Sequence, residues 1–497
     1  MQGKKVYEYN TEKVKTSIVN ALKRHGNETT VADIITLTGL PEYQVQETIK
    51  HVVNEYDGHM KVSESGELLY YFPRGMRSTV RGFIPTMKRI GRKFLKAVGK
   101  ILSFLFKIWI VVMLVGYFLV FLAILLLAMC VSFAGGRVSS GSSDDRRESS
   151  LGGSIGGMIL TRNVLDLFIR LWFYSSLVKD PRQKKQGRPL HKSVFAFVFG
   201  EKDPNADYYQ AEKQHLVRYI QMKKGVITLE ELMAETGRTI EEANALMNSL
   251  LIEWEGEPKV TEDGSLYYEF SNLLRQKSTI GLSVTELRKK SLIPFSNNEK
   301  KVNRLVGFFN GFNLAFGSYF LFSSFGTQVN LAKETASSLY EFVVLLLARS
   351  GVVAEPVSTV TIGLGVIPVI FSALFFLIPI IRNLRLKTKN IHIKQGNLLR
   401  RIYTHILRLP LSVRDTDIRP QAEDENPPSA GQFISSKVKE FAAYKGADVE
   451  TEQNGGYVGY VYVFKELDRE IKDIESLRRT IDLSSFDTGK IVFDSGK

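Results

Sequence analysis

Cysteine is nearly absent: Cys130 is the only one in 497 residues. That excludes an internal disulfide framework and any multi-cysteine metal site. The seven histidines, His25, His51, His59, His191, His215, His392 and His405, show neither an HExxH pair nor another ligand spacing. No GxSxG, Walker A or dinucleotide fingerprint occurs. The glycines of 152–157 have no strand before them, border the serine-rich 139–150, and read as a loop. No catalytic residue, cofactor or metal is therefore expected, and the chain reads as non-enzymatic. The opening residues, Met1 to Lys5, are polar and charged, without an apolar signal-peptide core. Acids are missing from two long stretches. Residues 74–107 hold ten Lys/Arg and no Asp or Glu, and residues 382–408 hold eight and none.

Charge is also missing where the chain is most apolar. Residues 108–133, 305–325 and 356–381 are uncharged runs long enough for a helix to cross a bilayer core. Residues 158–177 are a weaker candidate, apolar except for Arg162, Asp166 and Arg170. Those three, at i, i+4 and i+8, share one helix face where opposite charges pair. A lone charge at the bilayer centre costs about 2.5–3.5 kcal/mol, so the stripe is expected against other helices or in the interface. Residues 338–348 are too short to span and read as re-entrant or interfacial. Cys130 falls inside the first run and reads as packing.

Flanking charge orients these runs. Residues 74–107, 179–192 and 382–408 carry net +10, +5 and +8, whereas 134–157 balances at zero. Short cytoplasmic loops are the Lys/Arg-rich ones. All three basic stretches then face the cytoplasm, with two transmembrane hairpins, 108–178 and 305–381, and both termini inside. The expected place is the inner (cytoplasmic) membrane. Lys88, Arg89, Arg92, Lys93, Lys96 and Lys100 form a basic collar with helical spacing, suited to a helix lying on an anionic inner leaflet before it turns into the span. In the third run Gly307 and Gly311 are spaced for close helix packing, and Asn310 and Asn313 for hydrogen bonds between helices.

An ungapped self-match appears at an offset of 198 residues. From 38 to 72 it gives eleven identities, including Thr38-Gly39 with Thr236-Gly237, Lys61-Val62 with Lys259-Val260, and Leu68, Tyr70 and Phe72 with Leu266, Tyr268 and Phe270. This reads as an internal duplication. Each copy, 1–73 and 205–272, is expected to hold three helices and then a hairpin turning at Gly66 or Gly264. Three helices with a terminal β-hairpin resemble the winged-helix fold. A degenerate third copy is expected within 382–497, with the acid- and proline-rich 415–431 as a flexible linker in place of its middle helix. Residues 179–204 read as a basic linker followed by a buried strand at 194–200. The fold class is thus a mainly α membrane protein with α+β cytoplasmic domains, and the layout resembles uncharacterised bacterial multi-pass membrane proteins with winged-helix-like repeats.

Such folds often bind DNA through a basic third helix and wing. Here the copies carry net −3 over 12–72 and −6 over 211–270, which repels phosphate. The basic charge of the whole chain, +14, belongs to the membrane collars. The expected role is a membrane scaffold or regulator whose modules dock a protein partner or self-associate. A membrane-tethered DNA-binding regulator and a small transporter or channel are the alternatives.

Overall fold

The computed structural model describes residues 9–25, 28–73, 75, 83–135, 188–277, 286–332, 335–454 and 457–496. The chain divides into two compact units. One comprises 1–88, 203–293 and 388–497, and the other 89–202 and 294–387.

In the first unit, residues 11–71 run α1 (Thr11–His25), β1 (Glu28–Thr29), α2 (Val31–Thr38), α3 (Glu42–Glu55), β2 (His59–Ser63) and β3 (Leu68–Tyr71). Local chemistry sets the boundaries. The Thr30 hydroxyl accepts from Asp33 N–H while the Asp33 carboxylate accepts from Thr30 N–H, a reciprocal cap that starts α2. Gly39, at φ +66°, ends it in the left-handed region. The α4 helix (Phe83–Gly135) and α5 (Leu190–Phe199) follow.

The same order then returns as α6 (Tyr208–Met222), β4 (Val226–Ile227), α7 (Leu229–Thr236), α8 (Ile240–Glu253), β5 (Glu257–Val260) and β6 (Leu266–Glu269). Thr228 and Glu231 form the same reciprocal cap, and Gly237 the same left-handed stop. Register matches as well: Glu28 faces Tyr71 on β3, and Val226 faces Glu269 on β6. Each sheet is antiparallel with its last strand in the middle, β1-β3-β2 and β4-β6-β5.

The rest of this unit comes from the end of α11 (Pro356–Arg408), α12 (Ala430–Lys445), β7 (Asp448–Asn454), β8 (Tyr457–Val463), α13 (Lys465–Thr480) and β9 (Ile491–Asp494). Val413 bridges Tyr462 on β8, which leaves β8 between that bridge and β7. The expected flexible linker at 415–431 is instead held. Two 3-10 turns, Asp415–Asp417 and Glu423–Glu425, occupy it, and the fully buried Glu425 carboxylate accepts from Arg401 at 2.8 and 2.9 Å and from Gln421 N–H at 2.9 Å. Lys289 also pairs with it. A buried carboxylate with that many donors pins its segment. β9 joins the outer edge of β2 to make a four-stranded sheet. One apolar core runs through the two matching segments and on through α11, α12, β8 and α13, with Ile18, Ile49, Phe72, Met233, Met247, Phe270, Ile402, Phe441 and Phe464 buried.

The second unit is helical. Among the described residues three helices are long and apolar enough to cross a membrane: Ala97–Val131 within α4, Lys300–Gly326 (α9) and Pro356–Arg408, the α11 helix. The shorter α10 (Leu339–Ser350) lies between the last two in sequence. The collar segment does not break before the first span, as a surface-lying helix would require. Residues 83–135 form one helix, and no proline lies inside it beyond Pro85. α9 and α11 run antiparallel: Asn310 meets Ser372, Gly317 meets Pro368, and Leu321 meets Gly365. α4 and α9 run parallel. Phe118 stacks near Phe309 and Phe312, and Phe121 near Phe316 and Phe320.

The expected strand at 194–200 is helical, α5. Val194 and Val198, one turn apart, enter the apolar core beside Val306 and Phe375. Arg382, on α11, donates to the carbonyls of Phe197 (2.9 Å) and Val198 (3.3 Å) at the α5 end and to Phe295 O (2.7 Å). A cation on the last carbonyls is a C-terminal helix cap supplied from 184 residues away.

Candidate functional site

Three features gather polar chemistry: the joints between modules, the centre of the helical unit, and its basic end. The joints repeat. At the first, Gly39 lies so close to α6 that a Cβ there would sit 2.9 Å from Lys213 Cβ. At the second, Gly237 presses on the backbone of Gly396 and on Arg400, in the helix that opens the next segment. Hydrogen bonds reinforce the first joint: Gln221 Nε2 to Thr36 Oγ1 (2.7 Å), Gln214 Nε2 to Leu37 O (2.7 Å), and Trp254 Nε1 to Leu40 O (3.3 Å). These are donors from one module answering the open helix end of its neighbour.

Glu42 stands at the start of α3, buried beside this joint. Its Oε1 accepts from Gln46 Nε2 at 3.0 Å and Asn272 Nδ2 at 3.4 Å, while its buried Oε2 has no hydrogen-bond partner among the described residues. Burial, then the nearby Glu255 carboxylate, push its pKa from 4.5 to about 7. The exposed faces of α3 and α8 carry Glu47, Glu241 and Glu242. That acidity opposes approach of a DNA backbone.

In the helical unit Asn310 and Asn313 are fully buried on one face of α9. Asn310 Nδ2 donates to Ser372 O at 2.9 Å and Asn313 Nδ2 to Leu114 O at 2.7 Å, so the two amides tie α9 to α11 and to α4. Both Oδ1 atoms and Ser372 Oγ have no partner among the described residues. α11 turns π-helical over Thr361–Val366 in the same bundle. Gly307 and Gly311 do not carry the close approach expected of them. Among the described residues no heavy atom lies within 4 Å of a Cβ built on either. The buried stripe of α9 passes through Asn310, Asn313 and Gly317, and contact is made by Gly317 on Pro368 and by Gly365 on the Leu321 backbone.

Lys88, Arg89, Arg92, Lys93 and Lys96 fall on the first turns of α4, and Lys100 is exposed further along it. Arg162, Asp166 and Arg170 lie outside the described residues. Among the described residues, no cluster of three or more His, Cys, Asp or Glu side chains is disposed to hold a metal ion. Sequence reasoning missed Arg382 and Glu425, and it read Glu42 with Gln44 and Glu47 as surface residues of the third helix, whereas Glu42 is buried. The groups that set each of them apart, Asn272 and Glu255 around Glu42, the α5 carbonyls at Arg382, and Arg401 and Lys289 at Glu425, lie on other elements, so no local spacing marks them.

No family model matches the chain. No solved structure matches it. The chain is similar to an uncharacterised chloroplastic protein of Arabidopsis thaliana, 24% identical over 409 residues that cover 80% of this chain and 73% of that protein.

Proposed function

We propose that the chain is a non-enzymatic membrane scaffold or regulator, in which two helical hairpins hold winged-helix-like modules that dock a protein partner or a second copy. The repeated joint carries this reading. Twice, the glycine closing a module's second helix seats against the helix opening the next segment, which makes the modules a stiff, ordered array. Repeat arrays of this kind offer extended binding surfaces and no enclosed reaction chamber. The shared helix order and the strand order with the last strand central support the winged-helix likeness. The Val413 bridge on β8 extends that likeness to the third segment.

Topology supports the two-hairpin arrangement. Parallel α4 and α9 cannot both be spans unless the chain recrosses an odd number of times between them. In that interval residues 158–177 are the apolar run of spanning length. The basic stretches then face the cytoplasm of an inner membrane, or the stroma if this chain shares the compartment of its chloroplastic relative. Light scattering of the purified protein and crosslinking in its native membrane test the role together. A lone monomer with no crosslinked partner rejects it. A cysteine placed at 145 in a Cys130→Ser background tests topology, and labelling only from the side of the basic stretches breaks the two-hairpin arrangement.

A small solute path is the second reading, favoured by the unpartnered acceptors of Asn310 and Asn313 beside a π-helical stretch, a feature common at functional sites. Accessibility of position 310 to a water-soluble thiol reagent in Asn310→Cys decides it.

A further inference from the structure

Where α4 meets the start of α5, Lys100, Ser103, Phe104, Lys107, His191 and Lys192 line an open cavity of about 460 Å³. No carboxylate lines it. Lys100 and Lys192 are exposed, and among the described residues none of the three lysines forms an ion pair. The Lys107 ammonium lies 4.4 Å from the centre of the Phe195 ring, which holds it half-buried at the cavity wall. The His191 ring meets Phe104 edge-on at 5.8 Å. Burial first, and then the neighbouring Lys192 and Lys107 charges, push the His191 pKa down.

Lysines gathered around a concavity with no carboxylate make it attractive to an anion. The neighbouring surface says which kind. Ile101, Phe104 and Ile108, spaced three and four apart, make an exposed apolar stripe along the cavity's flank. Exposed Trp109 stands one position further, where an amphipathic ring marks the boundary between headgroups and hydrocarbon. A soluble phosphate would leave that stripe bare, whereas a lipid would cover it.

We propose that this cavity binds the phosphate headgroup of one anionic phospholipid, with its glycerol end beside Ile101 and Phe104 and its acyl chains continuing past Trp109 along Ile108 and Val112. Lys100, Lys107 and Lys192 supply the counter-charge and Ser103 a hydroxyl donor. The site differs from the general collar attraction because it is concave, includes two residues from α5, and saturates at one lipid. It rests on α4 being a membrane span.

The test uses the full chain in detergent and native mass spectrometry, titrating phosphatidylglycerol against phosphatidylcholine of the same acyl composition. The wild type is expected to retain one phosphatidylglycerol. Lys100→Gln/Lys107→Gln/Lys192→Gln is expected to hold it at least about tenfold more weakly, given the attraction of each lysine for anionic lipid. Lys88→Gln/Arg89→Gln should retain it as the wild type does. Lys192→Gln alone, which leaves α4 untouched, should give a partial loss even if the triple variant folds poorly. Unchanged retention in both Lys192→Gln and the triple variant overturns the proposal, as does equal retention of the two lipids. Displacement of phosphatidylglycerol by micromolar glycerol 3-phosphate overturns the lipid assignment in favour of a soluble phosphate. Carbonate washing of membranes is read separately: release of the wild-type chain would sink the span and leave any anion binding standing.

Discussion

Glu42 makes the joint between the first two modules sensitive to pH. Its carboxyl is buried, and its ordinary pKa of 4.5 rises to about 7 because burial and the Glu255 charge both disfavour ionisation. The folded state therefore holds a proton between those values that an unfolded or opened segment releases. The opened state binds fewer protons, so stability falls as pH rises from about 4.5 to about 7 and levels off above. The shift amounts to about 3 kcal/mol at pH 8, an upper figure because local relaxation and water entry reduce it. Glu42→Gln keeps the shape of the protonated acid, satisfies Oε1, and has no charge to bury. Hydrogen exchange of peptides covering 42–55 and 271–276, corrected for intrinsic rates, measures the opening energy. The wild type should lose protection between pH 5.5 and 8, whereas Glu42→Gln should stay flat and exceed it at pH 8. Equal pH dependence in the two proteins, or wild-type protection that grows with pH, would refute the reasoning.

Three further outcomes are expected. Gly237→Ala places a methyl against the Gly396 backbone at φ +67°, and thermal unfolding followed by circular dichroism should show a loss of about 2 kcal/mol or more. Glu425 behaves oppositely to Glu42: burial pushes its pKa up, but Arg401, Lys289 and the Gln421 N–H outweigh that and hold it at about 2. Its contribution is present above about pH 4.5 and lost as pH falls towards 2, and Glu425→Gln should cost about 3 kcal/mol in urea unfolding at pH 7 by leaving its cations unpaired. Removing residues 490–497 uncovers the edge of β2, and exchange of the amides of 59–63 should quicken while those of 257–260 stay unchanged.

The long apolar helices were legible from composition: uncharged runs near 108, 305 and 356 in the sequence all fall in helices long and apolar enough to cross a membrane. The shared element order of 11–71 and 208–269 was legible because eleven identities at a fixed offset need no knowledge of packing. What escaped depended on distant partners. Residues 194–200 have the β-branched and aromatic composition of a strand, but they have no strand to pair with, and Arg382 caps them as a helix. The acids of 415–431 look solvated until Arg401 and Lys289 are known to surround Glu425. The basic cavity needed α5 to fold back beside α4, which no spacing announces. Gly307 and Gly311 have a packing motif's spacing but sit off the buried stripe, and spacing alone does not reveal which face a helix turns inward.

The first sheet begins at Glu28 and receives its fourth strand from Ile491–Asp494. At about 5–20 residues per second, a ribosome needs tens of seconds to make the intervening chain. Two blocks of the helical unit, 89–202 and 294–387, are synthesised in that interval. The opening module must therefore wait, with one edge bare, until the hydrophobic blocks have been made and placed. The first joint needs only the chain to about residue 254 and the second to about 400, so the β2–β9 pairing is the late step, at a contact order that makes it slow. A chain cut short before residue 491 keeps that strand edge open, a signal that a protease or chaperone can read.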